Sequence, residues 1–406
     1  MLPSAVPLAA AATAAAAIIA GSYTALCRRL RYARMAACNA SHNPHSVSAT
    51  ALQSSLGLSS ARAIVSDLYE LEFPWTCRTA LQFALFRTYA IPSISRVLQR
   101  TGQLCTAAHA GRRYADTCVL IAEFLAWPLD SERAALALAR INYLHRAHPE
   151  ILPRDLLYTL LLFATQPLEF VNRFEWRTAT PLEEAACWRL WSEVGVRMGI
   201  PADTIPASYA DMVAAYKRYE EEFMVPAETN AFVATRTVEL LLYWVPGEPA
   251  KRLARQLVYA ICDARLRTAM LFPDPAPWAA ALLPVLLGAR RLLLATLALP
   301  RTDANKVLTV SDRPGENGRY FVKKYDNEPW YVPATVRNRW GLWGLVSRVL
   351  GLPIAGTRGY GEDGYEIETV GPTAFKKAGV ETVRKEAAEI MKMGGGAAGE
   401  GGRCPF

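Results

Sequence analysis

Apolar residues recur at helical spacing along most of the chain between residues 60 and 270, and no alternating strand pattern of convincing length occurs there. Asp130-Ser131 precedes one apolar helix as an N-cap, and Thr180-Pro181-Leu182-Glu183 has the form of a capping box. The pattern predicts an all-α fold with a single large helical domain over residues 61–300. Further helices are predicted at 66–72, 75–90, 116–127, 209–223 and 235–243.

Residues 5–27 form an uncharged, Ala-rich apolar run. A helix of about 20 such residues is long enough to cross the hydrocarbon core of a bilayer. Four arginines, at 28, 29, 31 and 34, follow the run, and no basic residue precedes it. A cleaved secretory signal carries its basic end in front, so we predict a single transmembrane anchor. The positive-inside rule places residues 1–4 in the lumen and the main domain in the cytosol.

A second apolar segment covers residues 278–300 and contains Pro284 and the pair Arg290-Arg291. Because arginine is costly at the centre of a bilayer, a second crossing is disfavoured. We expect instead a helix that lies in the membrane interface, with its arginines turned to the headgroups. A buried core helix is the alternative.

The remaining segments differ from the helical domain in composition. Residues 28–60 are predicted to be a basic juxtamembrane segment and linker. Glycine, proline and aromatic residues with turn signals indicate an irregular C-terminal extension over 301–392, ending in a charged helix from about Thr373. Residues 393–406 are Gly-rich and are predicted to be a disordered tail.

Composition excludes several classes of function. The 406 residues carry a net charge of +8, but the arginines are scattered outside the run after the anchor, so nucleic acid is not an expected partner. Eight cysteines without a Cys-x-x-Cys pair indicate free thiols instead of a disulfide framework or a zinc site. No Gly-x-Ser-x-Gly, P-loop or Gly-x-Gly-x-x-Gly motif is present, which disfavours hydrolases and nucleotide-dependent enzymes.

Four polar residues, Arg140, Asn142, Tyr143 and His145, lie within six positions of an otherwise apolar helix. A buried polar group without a partner costs roughly 1–3 kcal/mol, so this cluster predicts something polar to receive it. A neutral imidazole at position 145 is a normal axial ligand for heme iron, and Arg140 could pair with a propionate. The alternative is a core histidine bound by Asn142 or by a backbone carbonyl.

Two further clusters allow more than one interpretation. His145 and His148, with Glu150 or Asp155, could hold non-heme iron in a histidine–carboxylate set, although His148 adjoins Pro149 at a helix end. The sequence Glu175-Trp176-Arg177 is typical of an ion-paired helix end, and a pocket-lining or propionate-binding role is the second possibility.

Three motifs together resemble a known family. They are Arg140-Ile-Asn142-Tyr143-Leu-His145, Asp155 before Leu157-Tyr158-Thr159-Leu160, and Glu175-Trp176-Arg177. The pattern is similar to the fungal MpaB-type oxygenases, distant relatives of the bacterial latex-clearing rubber oxygenases, which carry a b-type heme. Further matches extend the resemblance over roughly residues 60–375, at Arg87-Thr-Tyr89, Arg113-Tyr114-Ala-Asp116-Thr117, Glu123-Phe124, Ala264-Arg265-Leu-Arg267, Pro329-Trp330-Tyr331 and Arg339-Trp340-Gly341.

The resemblance implies an oxidoreductase anchored in the endoplasmic reticulum membrane. It implies heme b as cofactor and dioxygen as co-substrate, with cleavage or oxygenation of an alkene in a lipophilic, terpenoid-like substrate; membrane lipid is a further partner. On this basis the expected catalytic residues are Arg140, Asn142 and Tyr143, the expected heme-binding residues are His145, Arg140, Tyr158 and Arg177, and the expected iron ligand is His145.

The chain also departs from the rubber oxygenases. Their axial histidine lies on the helix after the arginine-bearing one, and residues 157–164 here contain no histidine. Tyr143 stands where their distal lysine would align, and Tyr143 and Tyr158 are conceivable oxygen ligands. The alternative function is therefore a non-catalytic, membrane-tethered helical protein that binds lipid or a partner in its pocket.

Overall fold

The computed structural model describes residues 6–42, 52, 53, 55–102, 104, 106–376 and 378–393. The predicted lumenal residues 1–4 and the tail beyond residue 393 lie outside this part. The described residues form sixteen α-helices: α1 (Val6–His42), α2 (Leu58–Asp67), α3 (Pro74–Thr88), α4 (Pro92–Thr101), α5 (Ala107–Ala126), α6 (Glu132–Arg146), α7 (Pro153–Phe174), α8 (Pro181–Arg197), α9 (Tyr209–Phe223), α10 (Glu228–Leu241), α11 (Gly247–Ile261), α12 (Ala264–Ala269), α13 (Pro277–Thr296), α14 (Val336–Trp340), α15 (Leu342–Val349) and α16 (Val380–Lys392). Among the described residues, β-type pairing is limited to two isolated bridges, which confirms the all-α prediction.

The capping signals placed two helix starts correctly. The Ser131 hydroxyl accepts a hydrogen bond from the Ala134 amide at the start of α6. Thr180 and Glu183 make both hydrogen bonds of a capping box at the start of α8. Boundaries without such signals differ from the prediction, since α5 begins nine residues earlier than residue 116.

Two other segments also differ from the prediction. The first apolar helix continues through the basic run to His42, because alanine and arginine both favour helix. The predicted helix 66–72 is in fact the end of α2 followed by a π-turn, Leu68–Glu72.

Helix α7 lies at the centre of the domain. It packs against α3, α8 and α9, while α6 packs between α5 and the C-terminal helix α16. The interior contact surfaces are apolar and fully buried, with Leu138, Leu162 and Leu168 each at 0% exposure. Burial of such side chains is the main source of stability for the domain.

Buried polar groups attach the C-terminal extension to α5 and α6. The Tyr331 hydroxyl donates to Asp116 at 2.7 Å, and the Tyr365 hydroxyl donates to Glu123. The same Glu123 carboxylate receives two hydrogen bonds from Arg133, at 2.7 and 2.8 Å. The extension is thus irregular, as predicted, but it is specifically bound to the helical body.

Gly379, at the start of α16, packs closely against Tyr143 of α6. It has φ +71°, and a Cβ at this position would lie 2.2 Å from ring carbons of Tyr143. We expect Gly379→Ala to lower the free energy of unfolding by about 2–4 kcal/mol, the sum of a left-handed backbone penalty and a steric clash. Gly351, with φ +68° and no atom within 4 Å of its Cβ, is the matched control. Chemical denaturation measures both, and equal losses for the two variants would contradict the predicted clash.

Two helices, Ala10–His42 and Pro277–Thr296, are long and apolar enough to cross a membrane. Only Ala279 of α13 is buried, so the alternative of a core helix for residues 278–300 is wrong. The two helices contact each other. Just after the end of α13, the Leu297 carbonyl accepts a hydrogen bond from the Tyr23 hydroxyl at 3.0 Å, and the Ala298 carbonyl accepts one from the Arg31 Nε at 2.9 Å.

Glu175 and Trp176 connect these apolar helices to the domain. The Glu175 carboxylate, buried at 1% exposure, pairs with Arg290 of α13 at 2.9 Å. The Trp176 ring lies edge-on to Tyr32 of α1 at 5.1 Å. One of the two arginines that disfavoured a second crossing is therefore neutralised by the protein, and the number of crossings stays a prediction.

Candidate functional site

An apolar cavity lies between helices α3 to α8, and His145 forms part of its wall. The volume of the cavity is about 210 Å³. Ligand and cofactor pockets typically measure about 300–1,000 Å³, so the closed cavity is smaller than a typical cofactor pocket, and its lining suits an apolar group. We call it the His145 cavity.

His145 occupies the last turn of α6. Its Nδ1 is buried, and no partner for it occurs within the part of the chain that the structure describes. Burial lowers the pKa of His145 to about 4, with smaller contributions from the charges of Arg113 and His148. The ring is therefore neutral at physiological pH, which is the form that binds a metal.

Asn142 does not bind His145. Its side-chain amide donates to the Arg197 carbonyl at 2.9 Å and to Glu386 at 2.8 Å. These bonds join α6 to α8 and α16. The alternative of a core histidine bound by Asn142 is therefore not what the structure shows.

Arg113, Thr117, Asp155 and Trp191 share the wall with His145. The sequence had assigned a possible role only to Asp155, as an iron ligand, and had given no site role to the other three. Arg113 donates to the Thr117 hydroxyl at 2.9 Å, and Asp155 accepts a hydrogen bond from the Tyr219 hydroxyl. A usable signal existed, because the pairs 113/117 and 155/159 lie one turn apart on apolar helices and so share a face. Trp191 carried no such signal.

Arg140 and Tyr143 face away from the cavity, towards the extension. Arg140 is fully buried and donates to the backbone carbonyls of Val370 at 2.8 Å, Phe375 at 2.9 Å and Ala378 at 3.1 Å. The Tyr143 ring packs edge-on against the Phe375 ring at 6.5 Å. The structure thus gives the Arg140 guanidinium its polar partners without a ligand.

Tyr158 belongs to a separate buried network. Its hydroxyl donates to Glu220 at 2.9 Å, and the same carboxylate is paired with Arg87. Burial and the charge of Glu220 raise the pKa of Tyr158 well above its ordinary value, so the phenol stays protonated. Tyr158 does not line the His145 cavity.

Arg177 is ion-paired with Glu183, its two terminal nitrogens lying 2.8 and 2.7 Å from the carboxylate oxygens. The sequence favoured an ion-paired helix end for this residue. Its partner, Glu183, is also part of the capping box at the start of α8. Arg177 is not among the residues of the His145 cavity wall.

A histidine–carboxylate iron site is not assembled in the described ranges. Nδ1 of His148 lies 3.6 Å from Glu150. Nowhere in those ranges do three or more His, Cys, Asp or Glu residues come close enough to hold a metal ion.

Two more hollows adjoin the His145 cavity. An apolar cavity of about 140 Å³, which we call the extension cavity, shares Leu85, Thr117 and Ile121 with it and is lined on one side by residues 307–330 of the extension. A cleft between α6, α8 and α16 reaches His145 from the other side. His145 therefore stands between an interior apolar space and an opening to the surface.

Residues 81–295 match the model of a protein family described as ER-bound oxygenase mpaB/B'/Rubber oxygenase, catalytic domain. The chain is 36% identical over 358 residues to ER-bound oxygenase mpaB' of Penicillium brevicompactum, which covers 84% of this chain and 83% of that protein. It is 34% identical over 299 residues to ER-bound oxygenase mpaB of the same organism, covering 73% and 72%. A mpaB protein of Penicillium roqueforti (strain FM164) is 38% identical over 224 residues, 52% of this chain and 75% of its own.

The family model describes an oxygenase catalytic domain. The matched residues include the helices that build the His145 cavity, α3 to α8, except for the first two turns of α3. The alignments extend beyond that domain over most of the chain. Because the family model matches more than half of the chain, and because relatives above 30% identity align over most of it, the chain belongs to the mpaB/rubber oxygenase family and is an oxidoreductase.

Proposed function

We propose that the chain uses heme b, held by His145, to cleave or oxygenate an alkene in a lipophilic, terpenoid-like substrate with dioxygen. The observation that carries this proposal is the neutral imidazole of His145, which has an unpaired buried nitrogen in the wall of an apolar cavity. A buried donor or acceptor without a partner is costly, and a ligand in the cavity would remove that cost.

The chemistry of the wall residues fits heme b, although the closed cavity is smaller than a typical cofactor pocket. Heme would need an apolar enclosure for the porphyrin, a ligand such as imidazole for the iron and a cation for the propionates. The wall supplies His145 for the iron and Arg113 for a propionate. Arg113 takes the place that the sequence gave to Arg140 and Arg177, because those two guanidinium groups are occupied elsewhere. Bound heme would supply the binding and activation of dioxygen.

The other polar residues of the motif then act by positioning. Arg140, Asn142 and Tyr143 fix the last turns of α6 against α8, the extension and α16. This fixes where His145 points, and a small displacement of a ligand is enough to impair a site. The apolar lining excludes water, and the extension cavity beside it offers space for a lipophilic chain.

Location in the endoplasmic reticulum membrane is part of the proposal. The relatives are named ER-bound, and α1 and α13 expose apolar side chains such as Ile18, Ile19, Val285 and Leu292. We place α1 across the bilayer, α13 in its interface and the main domain in the cytosol. A substrate dissolved in the membrane could then enter the domain without crossing water.

Oxygen labelling tests the reaction. The full chain, purified in nanodiscs, is incubated under ¹⁸O₂ with a set of isoprenoid alkenes, with the saturated analogues as controls. Cleavage of C=C by O₂ gives two carbonyl fragments, so mass spectrometry should find one ¹⁸O in each, whereas simple oxygenation leaves the chain intact with added ¹⁸O. If the protein binds the alkenes and their saturated analogues equally well and converts neither, the alternative of a non-catalytic lipid-binding protein is favoured.

A further inference from the structure

The short helices α14 and α15 expose an unusual number of large apolar side chains for a segment outside the two candidate spans. Val349 is 86% exposed, Leu342 71%, Trp340 62% and Trp343 59%. Soluble surfaces rarely group such residues unless the group contacts a partner or a membrane.

These side chains project from an ordered unit. The Arg348 guanidinium donates to the Arg339 carbonyl and lies 4.0 Å from the centroid of the Trp340 ring. A Cβ on Gly341 or Gly344 would lie only 2.3 Å from a carbonyl oxygen of α14, so both glycines permit the close turn between the helices. The exposure is therefore built into the pair and is not the result of a loose loop.

The charge of this region has one sign. Between residues 329 and 361 the chain has four arginines and no aspartate or glutamate. Arg337 and Arg339 are exposed, and within the described residues neither takes part in an ion pair. Tryptophan and aliphatic residues interleaved with arginine are typical of helices that lie in a membrane interface.

A chain of contacts leads from this pair towards α13. The Trp343 ring packs on Trp244 at 5.2 Å, and Trp244 donates to the backbone carbonyl of Asp326 at 2.7 Å. The Asp326 carboxylate pairs with Arg78 of α3 at 2.8 Å. At the same end of α3, the ring of Trp75 lies against an arginine of α13. The pair is thus joined through α3 to the helix that we place in the interface.

We propose that the α14–α15 pair, Val336–Val349, is a second membrane-docking element that binds the surface of an anionic phospholipid bilayer. Trp340, Leu342 and Trp343 enter the boundary between headgroups and acyl chains, and Arg337 and Arg339 contact the lipid phosphates. Because residues 307–330 of the same extension line one side of the extension cavity, docking holds that cavity next to the bilayer. The inference does not depend on heme or on oxygenase chemistry.

Hydrogen exchange of the full chain tests the charge dependence. The chain is placed in nanodiscs of phosphatidylcholine alone or mixed with phosphatidylserine, and exchange is measured for peptides that cover 336–349. We expect slower exchange in the anionic discs. Arg337→Gln and Arg339→Gln should each weaken that protection by about fivefold, the effect of one cationic residue at an anionic surface. Arg218→Gln, at an exposed arginine of α9, is the matched control and should change nothing.

Quenching by lipids with brominated acyl chains tests insertion. Wild-type fluorescence should be quenched more than that of Trp340→Phe combined with Trp343→Phe, and exchange over the rest of the chain shows that the variants are folded. Equal quenching, or equal protection in neutral and anionic discs, would overturn the proposal. The proposal would also be overturned if, in detergent, the protection of residues 336–349 increased with protein concentration. A second copy of the chain would then cover the exposed apolar side chains of α14 and α15.

Discussion

Replacement of His145 by alanine is expected to remove the Soret band from the purified protein while the helical domain stays folded. The imidazole is the ligand that we assign to the iron, and its Nδ1 has no competing partner in the described structure. Changes to groups that only orient a metal ligand already cost about 10–100-fold in metal affinity, so loss of the ligand itself should weaken heme retention by at least about 100-fold. Visible spectroscopy and pyridine hemochrome quantitation measure it.

His148→Ala is the matched control, because His148 lies on the same segment but does not line the His145 cavity. It should keep the Soret band. Free imidazole added to His145→Ala should restore the band, since the vacated space faces the cavity and a small ligand can enter. A full Soret band in His145→Ala without imidazole would show that another residue holds the iron. Thermal unfolding of both variants separates loss of ligand from loss of fold.

The fold could be predicted from the sequence where local chemistry decides it. Ser131 and the pair Thr180/Glu183 satisfy amide groups within one turn, so the starts of α6 and α8 follow from adjacent residues. The start of α5 has no cap of this kind, because the Thr106 side chain accepts no hydrogen bond from the first amides of the helix. Its position depends on packing, which a linear pattern does not contain.

The site was predictable only in part, for a similar reason. The sequence picked out Arg140, Asn142 and His145 as buried polar groups that require partners, and all three lie on α6 as expected. It could not show that the partners of Arg140 and Asn142 come from residues more than 50 positions away, such as the Val370 carbonyl and the Arg197 carbonyl. Only His145 faces the cavity, because the helical turn carries it to the opposite side.

The same geometry explains why Arg113 was overlooked. Its partner Thr117 lies one turn away on α5, and the cavity beside it is completed by five other helices. Polar residues one turn apart on an apolar helix indicate a shared face, but what that face meets depends on the tertiary fold. Proximity in sequence to His145, which suggested Arg140, is therefore a weaker guide to a propionate partner than the lining of the cavity is.

Arg140→Met is expected to release the C-terminal extension and to destabilise the protein strongly. The substitution keeps the side-chain length but leaves the carbonyls of Val370, Phe375 and Ala378 without their donors. Hydrogen bonds to a charged group contribute roughly 1.5–3 kcal/mol each, so the free energy of unfolding should fall by about 4 kcal/mol or more. Chemical denaturation measures the loss, and hydrogen exchange over 366–392 should accelerate.

Arg146→Met is the matched control, because Arg146 also joins α6 to α16, through Glu386, but is exposed. Exposed ion pairs contribute about 0–1 kcal/mol, so this variant should unfold almost like the wild type. The pair of variants also distinguishes the two roles considered for Arg140. If Arg140→Met keeps a protected extension and a normal free energy of unfolding but loses heme, the guanidinium binds a propionate in solution. If the extension is released while added heme still gives a Soret band, Arg140 is a positioning residue and the propionate partner is to be sought at Arg113.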